Sequence, residues 1–177
     1  MIGGSLVEKG YVHVYTGNGK GKSTAAFGLA VRAAMSGKSV YIGQFVKDMK
    51  YSETRITNFI KNIRIEQLGE GCFIYNAPED SDRLAAQKAL SHCADILKAG
   101  NYDVVVLDEI HIALYYKLIE VEAVLEALEN RATQVEVILT GRYAPDALIE
   151  KADLVTEMLE IKHYYKQGVL SRDGIDR

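Results

Sequence analysis

Thr16-Gly17-Asn18-Gly19-Lys20-Gly21-Lys22-Ser23-Thr24 is the stretch on which the reading of this chain turns. It follows Tyr11 to Tyr15, a short run of β-branched and aromatic residues, and precedes an alanine-rich stretch of helical composition beginning near Lys22. Strand, glycine turn and helix N-terminus in that order form a phosphate cradle. The glycines let successive N–H groups point inward, Lys22 sets a cation against the outer phosphates, and Ser23 offers a hydroxyl to Mg²⁺. The spacing departs from the usual pattern, because Thr16 stands where the first glycine is expected and the glycines fall at 17, 19 and 21. That shift changes which positions accept φ > 0, so a triphosphate is expected to be held differently from its pose in an ordinary NTPase. A glycine-rich turn with no ligand is the alternative.

Working outward, Lys22 to about Ser36 reads as a helix stopped by Gly37, and Ser39 to Val46 as a strand. A polar stretch from Lys47 to Lys50 leads into a helix expected around Glu53 to Lys61, and Ile63 to Leu68 alternates as a strand with one wet face near a sheet edge. Pro78, with Glu79, Asp80 and Asp82, opens a long helix to about Ala99, ended by Gly100-Asn101. Val104-Val-Val-Leu107 is continuous and β-branched, as a strand covered on both faces should be. Val121, Val124, Leu125 and Leu128 stripe the next helix, Val135 to Leu139 gives another strand, Pro145 starts a short helix, and Leu154 to Lys162 is expected as the last strand.

Strands alternating with helices predict an α/β fold, a mostly parallel sheet with helices on both faces, in a single domain spanning residues 1–177. The length suits one core, and a chain 48% hydrophobic and 25% charged has the balance of a folded soluble protein. A formal net charge of −3 gives no attraction for a polyanion, so nucleic acid is disfavoured as the partner. The first residues carry no leader pattern and no apolar run reaches membrane-spanning length, so the expected location is the cytoplasm, with no membrane association. Cys72 and Cys93 lack metal-ligand spacing; Cys93 shares a helical face with Ala86, Leu90, Ala94 and Leu97 and reads as a small buried hydrophobe.

Ligands of such sheets collect at the carboxyl ends of the strands, where the glycine loop, Asp108-Glu109 and Thr140-Gly141-Arg142 all fall. Asp108 and Glu109 resemble the acidic element that serves Mg²⁺ beside bound phosphates, with one carboxylate approaching the metal and the other orienting water or the loop. An acidic pair solvating a strand end is the bland reading. Arg142 would stabilise charge on leaving phosphates or act as a surface ion-pair partner, and Arg32 reads on spacing as a solvated helical charge. His111, Tyr115, Tyr116, His163, Tyr164 and Tyr165 would floor a flat ligand or pack at a rim. On these residues alone an ATPase or kinase, in which Glu109 positions water or an acceptor, and an ATP-sensing binding module stay open beside other ATP chemistry.

Taken together, Thr16 to Gly28, Gln44-Phe-Val-Lys47, Val104 to Glu109, Ile138-Leu-Thr-Gly-Arg142, Ala152-Asp-Leu-Val-Thr-Glu-Met158 and Lys162-His163 resemble the P-loop family of ATP:cob(I)alamin adenosyltransferases nearly end to end. The resemblance implies a P-loop NTPase-like fold and transfer of the 5′-deoxyadenosyl group of ATP to Co(I) of a reduced corrinoid, with triphosphate leaving. The triphosphate would run along the loop in a reversed sense. It implies phosphate binding by Gly17, Asn18, Gly19, Lys20, Gly21, Lys22, Ser23 and Thr24, catalytic roles for Lys22 and Glu109, Mg²⁺ at Ser23 with Asp108 and Glu109, and nucleotide contacts for Arg32 and Arg142. Some members use an aromatic loop to displace the lower axial ligand of the corrinoid, and the resemblance places Gly69-Glu-Gly-Cys-Phe-Ile-Tyr75 there; the tryptophan and phenylalanine of those members are replaced around Cys72 and Ile74, and Phe73 and Tyr75 would stand in for them. A homodimer and a separate electron-donating reductase are implied as partners. Only about ten residues precede the first strand, where some members carry a longer arm over the neighbouring subunit's site.

Overall fold

The computed structural model describes residues 9–46, 52–69 and 79–176. Six strands, β1 (Val12–Thr16), β2 (Val40–Gln44), β3 (Ile63–Gln67), β4 (Val104–Asp108), β5 (Glu136–Thr140) and β6 (Leu154–Glu157), form one sheet in the order β3-β2-β4-β5-β1-β6. Every pairing is parallel. The helices are α1 (Lys22–Met35), α2 (Asp80–Ala99), α3 (Ile110–Tyr115), α4 (Val121–Glu129) and α5 (Asp146–Lys151).

Alternation along the strands sorts the core into two layers. Val104, Val106 and Ile138 face Ala26, Phe27, Ala30 and Ala34 of α1, whose small side chains bring the helix close to the sheet. Val105, Leu107, Val137 and Leu139 face the other way, against Leu97 of α2, Ala113 of α3, Leu128 of α4 and Leu148 of α5. β4 is buried at all five positions, as its unbroken apolar run predicts. Each large aliphatic taken from water there contributes roughly 1.5–3 kcal/mol, which makes the central strands the rigid part of the scaffold. Cys93 is fully buried in the second layer, and burial pushes its thiol up to about 12.

Several boundaries move. The segment expected as a helix at 53–61 is a 3-10 turn at Ser52–Asn58. The short helix α3, which no apolar period announces, follows β4 directly. The last strand stops at Glu157 instead of reaching Lys162, because the chain turns there to hold the glycine loop, and a 3-10 turn follows at Tyr164–Gln167. The expected stops hold: Gly37 and Gly100 have φ of 88° and 64°. β3 lies at one edge, with only Ile63 fully buried, and β6 at the other, exposed at every position. The aromatic stretch around Phe73 and Tyr75 lies outside the described residues.

β4 is fixed to β2 at its start by Asp103, whose Oδ2 accepts from the Ser39 N–H at 2.7 Å and the Ser39 hydroxyl at 2.8 Å. The Ser39 amide holds this carboxyl below its ordinary value of 3.8. A carboxyl lowered on folding adds stability above its unfolded pKa, and that contribution is lost as pH falls through the folded one. Asp103→Ala should therefore lower stability at neutral pH by at most about 1 kcal/mol, the pair being exposed. The gap to the parent in urea unfolding should close as pH is lowered through and below 3.8; a gap independent of pH would contradict this.

Candidate nucleotide site

Because all the strands run the same way, β1, β2, β4 and β5 end at one rim, and β5 alone separates the loop strand from the acidic strand. The loop from Gly17 to Gly21 leaves β1 there and enters α1. Its glycines are required for two different reasons. A Cβ at Gly17 would sit 2.4 Å from the Met158 carbonyl oxygen, and one at Gly19 would sit 2.7 Å from the Met158 and Leu159 carbonyl oxygens. Gly21 meets nothing within 4 Å but has φ 123°, a conformation that side chains other than glycine's rarely adopt. The Gly19 N–H donates to the Met158 carbonyl at 2.7 Å, and the Met158 N–H to the Thr16 carbonyl at 2.8 Å, so the chain leaving β6 is stitched to the loop.

Lys22 is buried, and its ammonium donates to the Gly17 and Gly19 carbonyls, each at 2.8 Å. Burial lowers its pKa, Glu109 opposes that shift, and Arg142 adds to it. A partly desolvated ammonium gains when a phosphate replaces neutral carbonyls as its partner. Asp108 is fully buried, which a carboxylate tolerates only with donors around it. The Thr140 hydroxyl donates to its Oδ1 at 2.7 Å and the Gln44 amide to its Oδ2 at 3.1 Å.

Glu109 has a left-handed backbone, φ 62°, uncommon outside glycine. Its N–H donates to the Thr140 hydroxyl at 3.0 Å, so one oxygen positions both members of the acidic pair. Behind them His111 is fully buried and donates from Nδ1 to the Gly141 carbonyl at 3.1 Å. Burial pulls this ring down to about 4, so it is neutral at pH 7. Arg142 lies between Gly141 at φ 137° and Tyr143 at φ 63°, and makes a long 3.5 Å contact with the Asn18 carbonyl.

These groups converge on a cavity of about 710 Å³. Gly19, Lys20, Gly21, Lys22, Ser23, Thr24, Glu109 and Arg142 all line it. Gly17 and Asn18 belong to the loop beneath, and Asp108 is buried behind Glu109. Arg32 is not among the lining residues and sits in the last turn of α1, about 14 Å along the helix from Ser23. The sequence did not point to Phe27, Ser52, Glu53, Gly174, Ile175 and Asp176, which also line the cavity. Phe27 was findable, one helical turn beyond Ser23. The tail residues carry no local signal. Tyr115 and Tyr143 stack with centroids 4.3 Å apart, and Tyr116 packs edge-on against Tyr115 at 5.3 Å.

A family model described as "ATP:corrinoid adenosyltransferase BtuR/CobO/CobP" matches residues 8–176. The chain is 35% identical over 171 residues to the corrinoid adenosyltransferase of Pseudomonas aeruginosa, covering 96% of this chain and 84% of that one. It is 36% identical over 169 residues to the corrinoid adenosyltransferase of Escherichia coli K12, covering 96% and 86%. Against the corrinoid adenosyltransferase of a Sinorhizobium species the identity is 38% over 173 residues, covering 96% and 81%. Among solved structures, the KaiC-like protein PH0186 of Pyrococcus horikoshii superposes with a TM-score of 0.56 at 21% identity, covering 84% of this chain and 73% of that one, a likeness of fold.

Thr140→Val keeps the shape of the side chain and removes the two hydrogen bonds that its hydroxyl makes to the acidic pair. It should cost roughly 2 kcal/mol in urea unfolding, since a buried carboxylate loses one of its donors and the Glu109 amide its acceptor. Nucleotide binding by calorimetric titration should weaken about tenfold; stability and affinity both equal to the parent's would show that the hydroxyl does not hold the pair.

Proposed function

The chain belongs to the ATP:corrinoid adenosyltransferase family, and on that premise we propose that it transfers the 5′-deoxyadenosyl group of ATP to Co(I) of a reduced corrinoid. Cobalt(I) supplies the electron pair for the new cobalt–carbon bond, the C5′–O bond breaks, and its electrons leave on inorganic triphosphate. The observation that carries the nucleotide half is the convergence of Lys22, Ser23, Glu109 and Arg142 on one cavity beside the glycine loop. The corrinoid half rests on the relatives, whose names state that activity.

In this chemistry the loop stabilises charge on a departing triphosphate, not on a transferring phosphoryl group. Lys22 and Arg142 supply the positive charge, and the backbone from Gly17 to Gly21 supplies N–H donors. Lys20 and Thr24 complete the phosphate-side lining, with Asn18 beneath. No side-chain nucleophile is needed, because the metal of the second substrate attacks. Mg²⁺, when bound, neutralises phosphate charge; Ser23 and Glu109, which line the cavity, would hold it, hydroxyl and carboxylate oxygens being its preferred donors, and the buried Asp108 behind them would be the carboxylate that orients the loop or the metal's water. Among the described residues no group of three or more His, Cys, Asp or Glu gathers, which suits a cation that takes most of its oxygens from phosphates and water. Arg32, Phe73 and Tyr75 keep their proposed nucleotide and corrinoid roles on the resemblance alone.

Reducing cobalt(II) to cobalt(I) requires an electron donor, and a chain with two cysteines offers no iron–sulfur site, which supports a separate reductase. The uncovered edge at β6, with Leu154, Val155, Leu159 and Ile161 exposed, supports a homodimer, because a second copy would take that apolar surface from water. Dependence on ATP supports a cytoplasmic location; no described helix is long and apolar enough to cross a membrane.

Incubation with ATP, Mg²⁺ and chemically reduced cobalamin should yield triphosphate and a light-sensitive cobalt–carbon bond, read by phosphate chromatography and by absorbance before and after photolysis. ADP and phosphate with an unaltered corrinoid would reject the proposal. Lys22→Ala should lower kcat/KM for ATP by about a hundredfold or more; activity within threefold of the parent's would remove Lys22 from the site.

A further inference from the structure

Lys20 stands between two loop glycines, where its charge would be expected to meet phosphate, yet the structure commits it elsewhere. Its ammonium donates to the Ile175 carbonyl at 2.8 Å and pairs with the Asp176 carboxylate at 2.9 Å, across 155 residues of chain. Asp176 is the hub of a small network. It accepts from the Arg172 N–H at 3.1 Å and the Arg172 Nε at 3.0 Å, and from the Tyr164 hydroxyl. The Arg172 guanidinium lies over the Tyr164 ring at 4.8 Å. The turn closes on itself through the Ile175 and Asp176 N–H groups, which donate to the Arg172 carbonyl at 3.2 and 2.8 Å. With four side-chain and backbone donors from three residues, the Asp176 side chain is only 12% exposed although it lies at the surface.

Gly174, Ile175 and Asp176 line the same cavity as the loop, and the Ile175 side chain is exposed. We propose that Asp176 is a positioning residue for ATP: through Lys20 it fixes the 172–176 turn against the phosphate loop as a wall of the nucleotide cavity. On this view Lys20 does not contribute its charge to the phosphates. It tethers the wall, and Lys22 and Arg142 supply the positive charge. The Asp176 carboxyl is held below the usual carboxylate range, first by Lys20 and then by Tyr164 and Arg172, which keeps it ionised near neutral pH. The inference rests on the nucleotide half of the functional reading and is independent of the corrinoid half.

The test is calorimetric titration of the full chain with ATP and Mg²⁺, with thermal unfolding in parallel. Asp176→Asn should weaken ATP about tenfold while shifting the melting midpoint by less than about 2 °C. Lys20→Met should do the same, the double variant should be no weaker than the worse single variant, and Asp176→Glu should recover most of the affinity. In turnover KM for ATP should rise with kcat within about twofold of the parent. An unchanged affinity in Asp176→Asn would overturn the proposal. So would additive losses in the double variant, which would mean that Lys20 acts on phosphate directly, or a fall in kcat at constant KM. If Asp176→Asn does not fold, Tyr164→Phe decides, since it removes one donor from Asp176 without touching the loop; an affinity equal to the parent's would then overturn the tether. ATP binding is read without corrinoid, so a parent chain that bound ATP but transferred no adenosyl group would sink the transferase reading and leave this result standing.

Discussion

Two backbones cannot occupy the space of one Cβ, and at Gly17 and Gly19 this exclusion sets the position of everything else at the rim. The loop lies directly on Met158 and Leu159, joined to them by the Gly19–Met158 and Met158–Thr16 hydrogen bonds. That contact stops β6 after four residues, and the chain beyond it brings His163 and residues 174–176 to the cavity. The displaced glycine pattern is thus not only a matter of ligand geometry. It records which positions face another piece of main chain.

Electrostatics at the rim follows from the same layering. A parallel sheet packed on both sides leaves its strand ends as the one place where polar groups of β1, β4 and β5 can meet. Asp108 is buried there because Thr140 and Gln44, from the two flanking strands, donate to it. Lys22 rests on loop carbonyls in the same region, its charge disfavoured by burial and supported by Glu109. The site is polarised before any ligand arrives, and little reorganisation is left to pay for when charge develops.

Much of this was legible in the residues themselves. The Val104–Leu107 run predicts a strand without a wet face, the Ala86 to Leu97 face predicts a buried Cys93, and the glycine-rich stretch from Gly17 to Ser23 predicts a turn from a strand into a helix; these elements stand where expected. The illegible parts share a cause, namely contacts between residues far apart in sequence. Ile110–Tyr115 is too short for a helical period to emerge, and its start depends on Glu109 adopting a left-handed backbone against Thr140. Met158 to Ile161 reads as more strand because its apolar residues continue, but Leu159 and Ile161 are exposed and the loop claims the backbone. The cavity wall at Gly174 to Asp176 depends on a lysine near the other end of the chain, which no local pattern can announce.

The span between Lys20 and Asp176 also bears on how the protein comes into being. β1 pairs with β5 and β6, both later in the sequence, so the loop at 16–24 has its neighbours only once residues 136–140 and 154–159 are present, and the turn at 172–176 is joined to it later still. A chain still lacking residues 172–176 therefore carries the glycine turn without its Lys20 partners. That side of the cavity is closed only after the strands that support it are in place.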